Sequence, residues 1–332
     1  MKAVYYERKG AARDVLILGE RPRPEPGPDE VLVRVIASGV NPTDTKARSG
    51  WRSVPMAFPW VIPHQDGAGV IEAVGANVPP SRVGERVWVY EAQWQRPFGT
   101  AADFTTVKSN QAIPLASHVS FEEGACLGIP AMTAHRCIHA DGSVARKTVF
   151  VAGGAGAVGF YAIQFAKLAG ATVITTVSSD HDAKAVSEIG ADIVINRLRE
   201  DVESSVREAT KNKGVDRIVE VAFSENAYLD SAIISENGKI AAYASDAEHE
   251  PRFPFYGFMM KNVLIHFVLV YRMSGSAHQE ATAEITNSLT KKLLKHPTRS
   301  LFPLSDVVRA HEASESRSTR CKVIVELTSR EG

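Results

Sequence analysis

The run TVFVAGGAGAVGFYAIQFAKLAG, which begins at Thr148, constrains the fold of this chain more than any other stretch. A β-branched apolar run enters Gly154-Ala155-Gly156-Ala157-Val158-Gly159, and an apolar helical pattern follows. Glycines at this spacing allow a tight turn and let the backbone approach a pyrophosphate. The helix that follows presents unpaired N–H groups and a partial positive charge to that anion. A lone G-x-G-x-x-G is weak evidence, because a glycine-rich packing turn has the same letters. Here the context is repeated: ATVITTVSS, DHDAKAVSEIG, ADIVINR, EDVESSVREATKN, GVDRIVEVA, AYLDSAIISENG and GKIAAYAS alternate strand and helix patterns. Such alternation implies right-handed crossovers and a parallel sheet covered on both faces. The expectation is an α/β, doubly wound, dinucleotide-binding domain.

The rest of the chain reads differently. VLVRVIASGV, AGVIEAVG, RVWVY and ADFTTV are short strand patterns punctuated by Gly and Pro, and RPRPEPGPDE is a proline-rich surface loop. Ser120-Phe121-Glu122-Glu123 has the spacing of a capping box that opens a helix. VLIHFVLVY (Val263 to Tyr271) is strand length, a long helical stretch follows, and CKVIVEL is a final strand. At about 100–200 residues per domain, 332 residues suit two domains.

Lys+Arg and Asp+Glu both count 38, so the chain has no broad attraction for nucleic-acid phosphates or anionic membranes. No apolar run reaches the roughly 18 residues of a membrane span. MKAVYYERKG lacks a secretory pattern, and Cys126, Cys137 and Cys321 are too scattered for a disulfide framework. A cytoplasmic location is expected.

The second strand of the alternating region ends in Ser178-Ser179, with Asp180 and Asp182 only later. A dinucleotide with a free ribose usually meets a carboxylate at that tip. Small hydroxyls, with Lys184 and Arg197 as cations, leave room and charge for a 2′-phosphate, so NADP is expected over NAD.

The landmarks GVNPTDTKARSG, DGAGVIEAVG, GERVWV, GACLGIPAMTAHRCI, AGGAGAVG, GADIVINR and CKVIVEL occur in order along essentially the whole chain. In these the chain resembles the zinc-independent quinone oxidoreductase (zeta-crystallin-like) branch of the medium-chain dehydrogenase/reductase superfamily. The resemblance implies a Rossmann doubly wound parallel-sheet domain plus a GroES-like partial β-barrel catalytic domain that takes both chain ends. The expected boundaries are 1–122 and 263–332 for the catalytic domain and 123–262 for the nucleotide-binding domain.

The resemblance also frames His64 in VIPHQDGAGV. In zinc-dependent relatives a histidine ligand precedes the Gly-Ala-Gly turn. Aligned on that turn, Gln65 takes its place, Asp66 takes the place of a glutamate, and His64 falls one residue early. A cysteine ligand of those relatives is Asn41 here. Amides are poor zinc ligands, so no zinc is expected and His64 reads as a loop histidine.

The catalytic loop implied is Asn41-Pro42-Thr43-Asp44. Asn41 can donate to a carbonyl oxygen as charge develops. Thr43 can bond substrate or the nicotinamide ribose. Asp44 caps the following helix or pairs with Lys46 or Arg48. Gln65 would line the substrate end. Thr133 would face the nicotinamide, and Ala222 and Ala244 would lie where strand ends meet the dinucleotide. Phe267, Val268 and Leu269 would pass beside the nicotinamide, or Phe267 would be plain strand core. Lys322 would stand near the cleft or cofactor, or on the surface. The implied activity is NADPH-dependent reduction of a quinone, enone or other carbonyl compound by direct hydride transfer, in a homodimer paired through VLIHFVLVY. Lys46, Trp51 and Arg52 depart from the tyrosines that family members often carry after this loop, which bears on acceptor choice. The rival readings are a zinc-dependent alcohol dehydrogenase and a non-catalytic, crystallin-like or RNA-binding NADPH binder.

Overall fold

The computed structural model describes residues 1–248, 250–316 and 322–327. The chain divides into two compact units. The first takes Met1–Ile129 and resumes at Thr282; the second is Pro130–Ala281.

In the first unit the strands are β1 (Lys2–Tyr5), β2 (Ile17–Glu20), β3 (Glu30–Val40), β4 (Asp66–Val74), β5 (Arg86–Val89), β6 (Phe104–Lys108) and β7 (Ala112–Pro114). The expected capping box at Ser120 forms: its hydroxyl accepts from the Glu123 N–H, and the Glu123 carboxylate accepts from the Ser120 N–H.

The second unit is a six-stranded, wholly parallel sheet of β8 (Thr148–Val151), β9 (Thr172–Val177), β10 (Ile193–Asn196), β11 (Val215–Glu220), β12 (Ile234–Ala242) and β13 (Leu264–Phe267). The order is β10-β9-β8-β11-β12-β13. The winding reverses between β8 and β11, and ligands of such sheets bind outside the strand carboxyl ends at that reversal. Phe150, Ile174, Ile218, Phe223 and Ile240 are buried in its core.

The chain then returns to the first unit with β14 (Arg299–Pro303) and β15 (Lys322–Glu326). These complete a sheet ordered β14-β15-β3-β4-β5-β7, with β6 on β3. Cys321 lies outside the described residues; Cys126 and Cys137 are buried free thiols.

Three expectations need correction. The strand near Val263 does not return to the catalytic domain. It pairs in parallel with β12, Ile240 against Ile265, so the second unit runs to Ala281 rather than 262. Only Leu264–Phe267 is strand, and a short 3₁₀ turn follows at Val270–Arg272. The helix placed on AYLDSAIISENG runs instead from Phe223 to Ile233, and β12 starts at Ile234. Ala222 begins the helix earlier, and the polar SENG letters hid the strand.

The glycine turn packs strand against helix. A Cβ on Gly159 would lie 2.5 Å from the Gly153 carbonyl oxygen and 2.9 Å from the Gly154 Cα, both backbone. Gly156 is exposed, and its nearest such neighbour is 3.2 Å away. We expect Gly159→Ala to destabilise the chain by roughly 1–3 kcal/mol in urea unfolding, as overpacking does, and Gly156→Ala to cost clearly less. Equal midpoints for the two variants would refute this account of the turn.

Candidate active site

Three strand ends bring the polar groups of the first unit together. Gly39 of β3 faces Asp66 of β4, and Val40 faces Val323 of β15. Lys322, at the start of β15, therefore lies beside Asn41, which follows β3. Asn41 is 2% exposed, Asp66 0% and Lys322 4%. The Asn41 Nδ2 donates to Asp66 Oδ2 at 2.8 Å, and its Oδ1 accepts from the Lys322 ammonium. Lys322 Nζ stands 3.6 Å from Asp66 Oδ2. The Ile129 N–H donates to Asp66 Oδ1 at 2.9 Å. Gly128 permits this approach, since a Cβ there would fall 2.0 Å from that oxygen. Burial raises the Asp66 pKa, outweighing the opposing pull of Lys322, Asn41 and Ile129.

A cation on one end and a carboxylate on the other orient the Asn41 amide. One of its two N–H groups goes to Asp66, and the amide also stands against the Asp44 carboxyl, whose pKa it lowers. Asp44 does cap its helix: its Oδ2 accepts the Asn41 N–H at 2.8 Å. Asp44 is itself buried, and burial, then Asp66, push its pKa up to about 8. Thr43 and Lys46 are half-buried on the same helix, Pro42–Ser49.

His64 is a loop histidine, φ 79°, but a fully buried one. Its Nδ1 lies 2.7 Å from Ser38 Oγ and its Nε2 2.9 Å from His311 Nε2. Ser38 Oγ is 2.7 Å from Thr100 Oγ1, which donates to the Asp66 carbonyl at 2.6 Å. A carbonyl can only accept, so the proton order follows along the chain. Thr100 donates to Asp66, Ser38 to Thr100, His64 Nδ1 to Ser38, and His311 Nε2 to His64. Both rings are then neutral. That agrees with burial, which holds His311 down at about 3 and His64 well below its ordinary value.

Gln65, expected at the substrate end, is 5% exposed and bonds Gln93 twice, at 3.1 Å each. Zinc does not fit this donor set. Two of the positions are amides already engaged, His64 spends both nitrogens inside the protein, and an ammonium sits against Asn41 and Asp66.

In the second unit the expected turn stands at the end of β8. Gly153 and Gly154 N–H groups tie it to Thr176, and Gly156 precedes the helix Ala157–Leu168. Ala155, Ala157 and Val158 are half-buried, and Gly154 and Gly159 buried. Ala222 and Ala244 follow the ends of β11 and β12, and the Phe223 N–H donates to the Ala244 carbonyl at 3.1 Å. Ser178 is half-buried at the end of β9; Ser179 instead spends its hydroxyl accepting the Asp182 N–H as a helix cap. Arg197 follows β10, its N–H on the Val177 carbonyl, and both Arg197 and Lys184 are exposed. Asp180 is paired with Arg199 at 3.0 Å. The turn and the helix start bring main-chain N–H groups to the carboxyl end of β8, an arrangement that fits a pyrophosphate. Thr133 is buried on the helix Gly128–His139. Phe267 is not strand core; it is 66% exposed, with its ring edge-on to Phe223. Val268 is buried and Leu269 exposed.

Sequence reasoning missed Ser38, Thr100 and His311, and a buried acidic pair, Glu220 and Asp230, whose pKa values burial raises. Asn226 Nδ2 and the Ala222 N–H donate to Glu220 and so shape the turn after β11. A carboxylate inside the apolar run IVEVA was the available signal for Glu220.

Residues 27–163 match the alcohol dehydrogenase GroES-like domain, and residues 157–287 the zinc-binding dehydrogenase family. Human quinone oxidoreductase is 31% identical over 317 residues, 94% of this chain and 93% of that protein. A mycobacterial protein solved in complex with NADPH superposes with a TM-score of 0.86 at 28% identity, over 98% of this chain and 100% of that one. An NAD-dependent alcohol dehydrogenase gives 0.89 at 26%, over 99% and 100%. Fold and matches define an oxidoreductase of the medium-chain dehydrogenase/reductase superfamily. Within that superfamily, the chain belongs to the quinone oxidoreductase family.

Two outcomes follow from the cluster. Lys322→Met leaves Asp66 buried without its cation and should cost about 3–5 kcal/mol, while adding Asp66→Asn should restore much of it in urea unfolding; additive losses would show that the pair is not coupled. Asp44 is raised in the folded state above its unfolded value of 3.8. The unfolded chain therefore releases that proton first, and stability should decline as pH rises from about 4 to about 8. Asp44→Asn should flatten that decline; an unchanged slope would count against a protonated Asp44.

Proposed function

We propose that this chain uses NADPH to reduce quinones, enones or related carbonyl acceptors, without a metal. The observation that carries the reading is the Asn41 amide, held in a fixed orientation between Lys322 and Asp66 where β3 ends. When bound, the reduced nicotinamide supplies the hydride. Asn41 then meets the acceptor oxygen as negative charge gathers there, and because its orientation is already set, little reorganisation is needed. Thr43 bonds the acceptor or the ribose. Gln65 acts through Gln93, holding the neighbouring loop. Thr133 and Val268 to Leu269 serve the nicotinamide end, with Phe267 beside them. Gly154 to Gly159, Ala222 and Ala244 hold the dinucleotide, and Ser178, Ser179, Lys184 and Arg197 its 2′-phosphate. The names of the human relative and of the NADPH complex support this reading.

The reading includes a cytoplasmic homodimer. β13 lies at the edge of its sheet with Leu264, Phe267 and Leu269 exposed, an unpaired apolar edge that a second copy would cover. No helix among the described residues is long and apolar enough to cross a membrane.

The test is NADPH oxidation with 1,4-benzoquinone and a panel of enones and aldehydes, with NADH in parallel and EDTA present. We expect turnover that EDTA leaves intact and a preference for NADPH of roughly tenfold or more, about 1.4 kcal/mol, reduced by Arg197→Ala. Loss of activity to the chelator would favour the zinc dehydrogenase. NADPH binding with no acceptor turned over would favour a non-catalytic binder.

A further inference from the structure

The turn between β11 and the helix Phe223–Ile233 rests on two carboxyls that meet in the interior of the second unit. Glu220 is the last residue of β11 and Asp230 lies on that helix; both are 0% exposed. Glu220 accepts from the Ala222 N–H and from the Asn226 Nδ2, the latter at 3.1 and 3.2 Å from its two oxygens. Asn226 and Asp230 stand one helical turn apart on one face, so the Asp230 carboxyl falls beside Glu220 and bonds it. Neither Asp230 oxygen meets an N–H or O–H donor among the described residues. An ionised carboxyl in such surroundings is costly, and two of them a hydrogen bond apart are costlier still. The donors around the pair point at Glu220. The charge therefore belongs on Glu220 and the proton on Asp230, which donates it across the pair.

The ionisable groups around the pair do not replace that proton. Burial, Cys137 and Glu220 raise the Tyr243 phenol well above its ordinary value, so it stays neutral. Cys137, on the helix Gly128–His139, is pushed up to about 12, chiefly by burial. Lys261 turns its ammonium to the Ser231, Ala232 and Ile234 carbonyls. Burial raises the pKa of both carboxyls, and the charge of Glu220 raises that of Asp230 further.

The turn that this pair holds is where the strand ends meet. Val221 packs on the glycine turn: a Cβ on Gly153 would lie 3.5 Å from Val221 Cγ1. The Phe223 N–H donates to the Ala244 carbonyl at 3.1 Å, and the Tyr243 N–H to the Glu220 carbonyl at 3.0 Å. The Phe223 ring stands edge-on to Phe267 at the end of β13. Val221–Phe223 thus ties together the carboxyl ends of β8, β12 and β13, and a dinucleotide lies along such ends.

We propose that Asp230 is a positioning residue for the cofactor: the proton it shares with Glu220 holds Val221–Phe223 in the shape that receives NADPH. The proposal rests on the NADPH reading above. When the proton leaves, two like charges in one buried place repel, Glu220 withdraws from the Ala222 N–H, and the turn loosens. NADPH binds the protonated pair better, so its affinity falls as pH rises through the titration of the pair.

The test is the NADPH dissociation constant from about pH 6 to about pH 10, in the unaltered chain and in Asp230→Asn. The amide donates to Glu220 as the protonated carboxyl does, and it carries no titrating proton. We expect the constant of the unaltered chain to rise roughly tenfold or more at the alkaline end, and that of Asp230→Asn to stay nearly level. Asp44 titrates alike in both chains and cancels in the comparison. Asp230→Leu removes the donor and should weaken binding roughly fivefold or more at neutral pH, a loss that Asn at the same position avoids. A pair that merely stabilises the fold would move the unfolding midpoint and leave the two pH profiles parallel, and parallel profiles overturn the proposal. The infrared C=O band of protonated carboxyls gives a reading without cofactor: it should weaken on Asp230→Asn at neutral pH, and an unchanged band overturns the shared proton. Absence of NADPH binding in every chain would sink the cofactor reading and this proposal with it; binding with parallel profiles sinks this proposal alone.

Discussion

A buried ammonium between an amide and a carboxylate organises the first unit. Lys322 is nearly sealed from solvent, and so are Asn41 and Asp66. Buried charge is costly unless paired and hydrogen-bonded, so the three must come together for any of them to stay inside. The sheet register accomplishes this, because β15, β3 and β4 are adjacent and end at the same level. The Ile129 N–H completes the Asp66 shell from another element. Beneath it, the chain from His311 through His64, Ser38 and Thr100 reaches the Asp66 carbonyl with one proton per bond. Such a chain has a single direction when both rings are neutral, which fixes the backbone from which the carboxylate projects.

The second unit prepares its site by a different means. Its groups are mainly backbone: a glycine turn, a helix start and two strand ends, all produced by the doubly wound order. Close packing rather than charge holds them, as the contacts of Gly159 show. The difference has a physical basis. A dinucleotide is large and repetitive in its polar groups, and main-chain N–H donors can bind it. A reacting oxygen is a single atom, and a side chain must be held still to meet it.

This difference also decides what could be read from the sequence. The parallel sheet, the glycine turn and the serine tip were legible, since strand–helix alternation and glycine spacing are local patterns. The capping role of Asp44 was legible from the loop it occupies, whereas Asn41 was singled out by resemblance. His311 and Thr100 were not legible, because hundreds of residues or a change of strand separate them from their partners. Lys322 could be placed near the site only by resemblance; its burial and its bond to Asn41 depend on long-range register. VLIHFVLVY misled because a short apolar run does not state which sheet it joins. Exposure of Phe267 at an edge was equally invisible, since an aromatic in a strand pattern reads first as core.

The Lys322 pair also sets what chemistry the first unit suits. A metal ion can lower the pKa of a bound alcohol or water by many units. An amide N–H cannot, and the charge of Lys322 is largely answered by Asp66. A site of this kind gives an oxygen modest, well-aimed stabilisation rather than strong Lewis acidity. Alcohol oxidation needs the alkoxide to form first, and nothing in this cluster forms it readily. Reduction of a quinone or enone starts from an acceptor that is already electron-poor, and the oxygen that gains charge is delocalised over a conjugated system. On the reading proposed above, the Asn41 amide held by Asp66 and Lys322 suits the easier direction of hydride transfer, toward acceptors that need orientation more than activation.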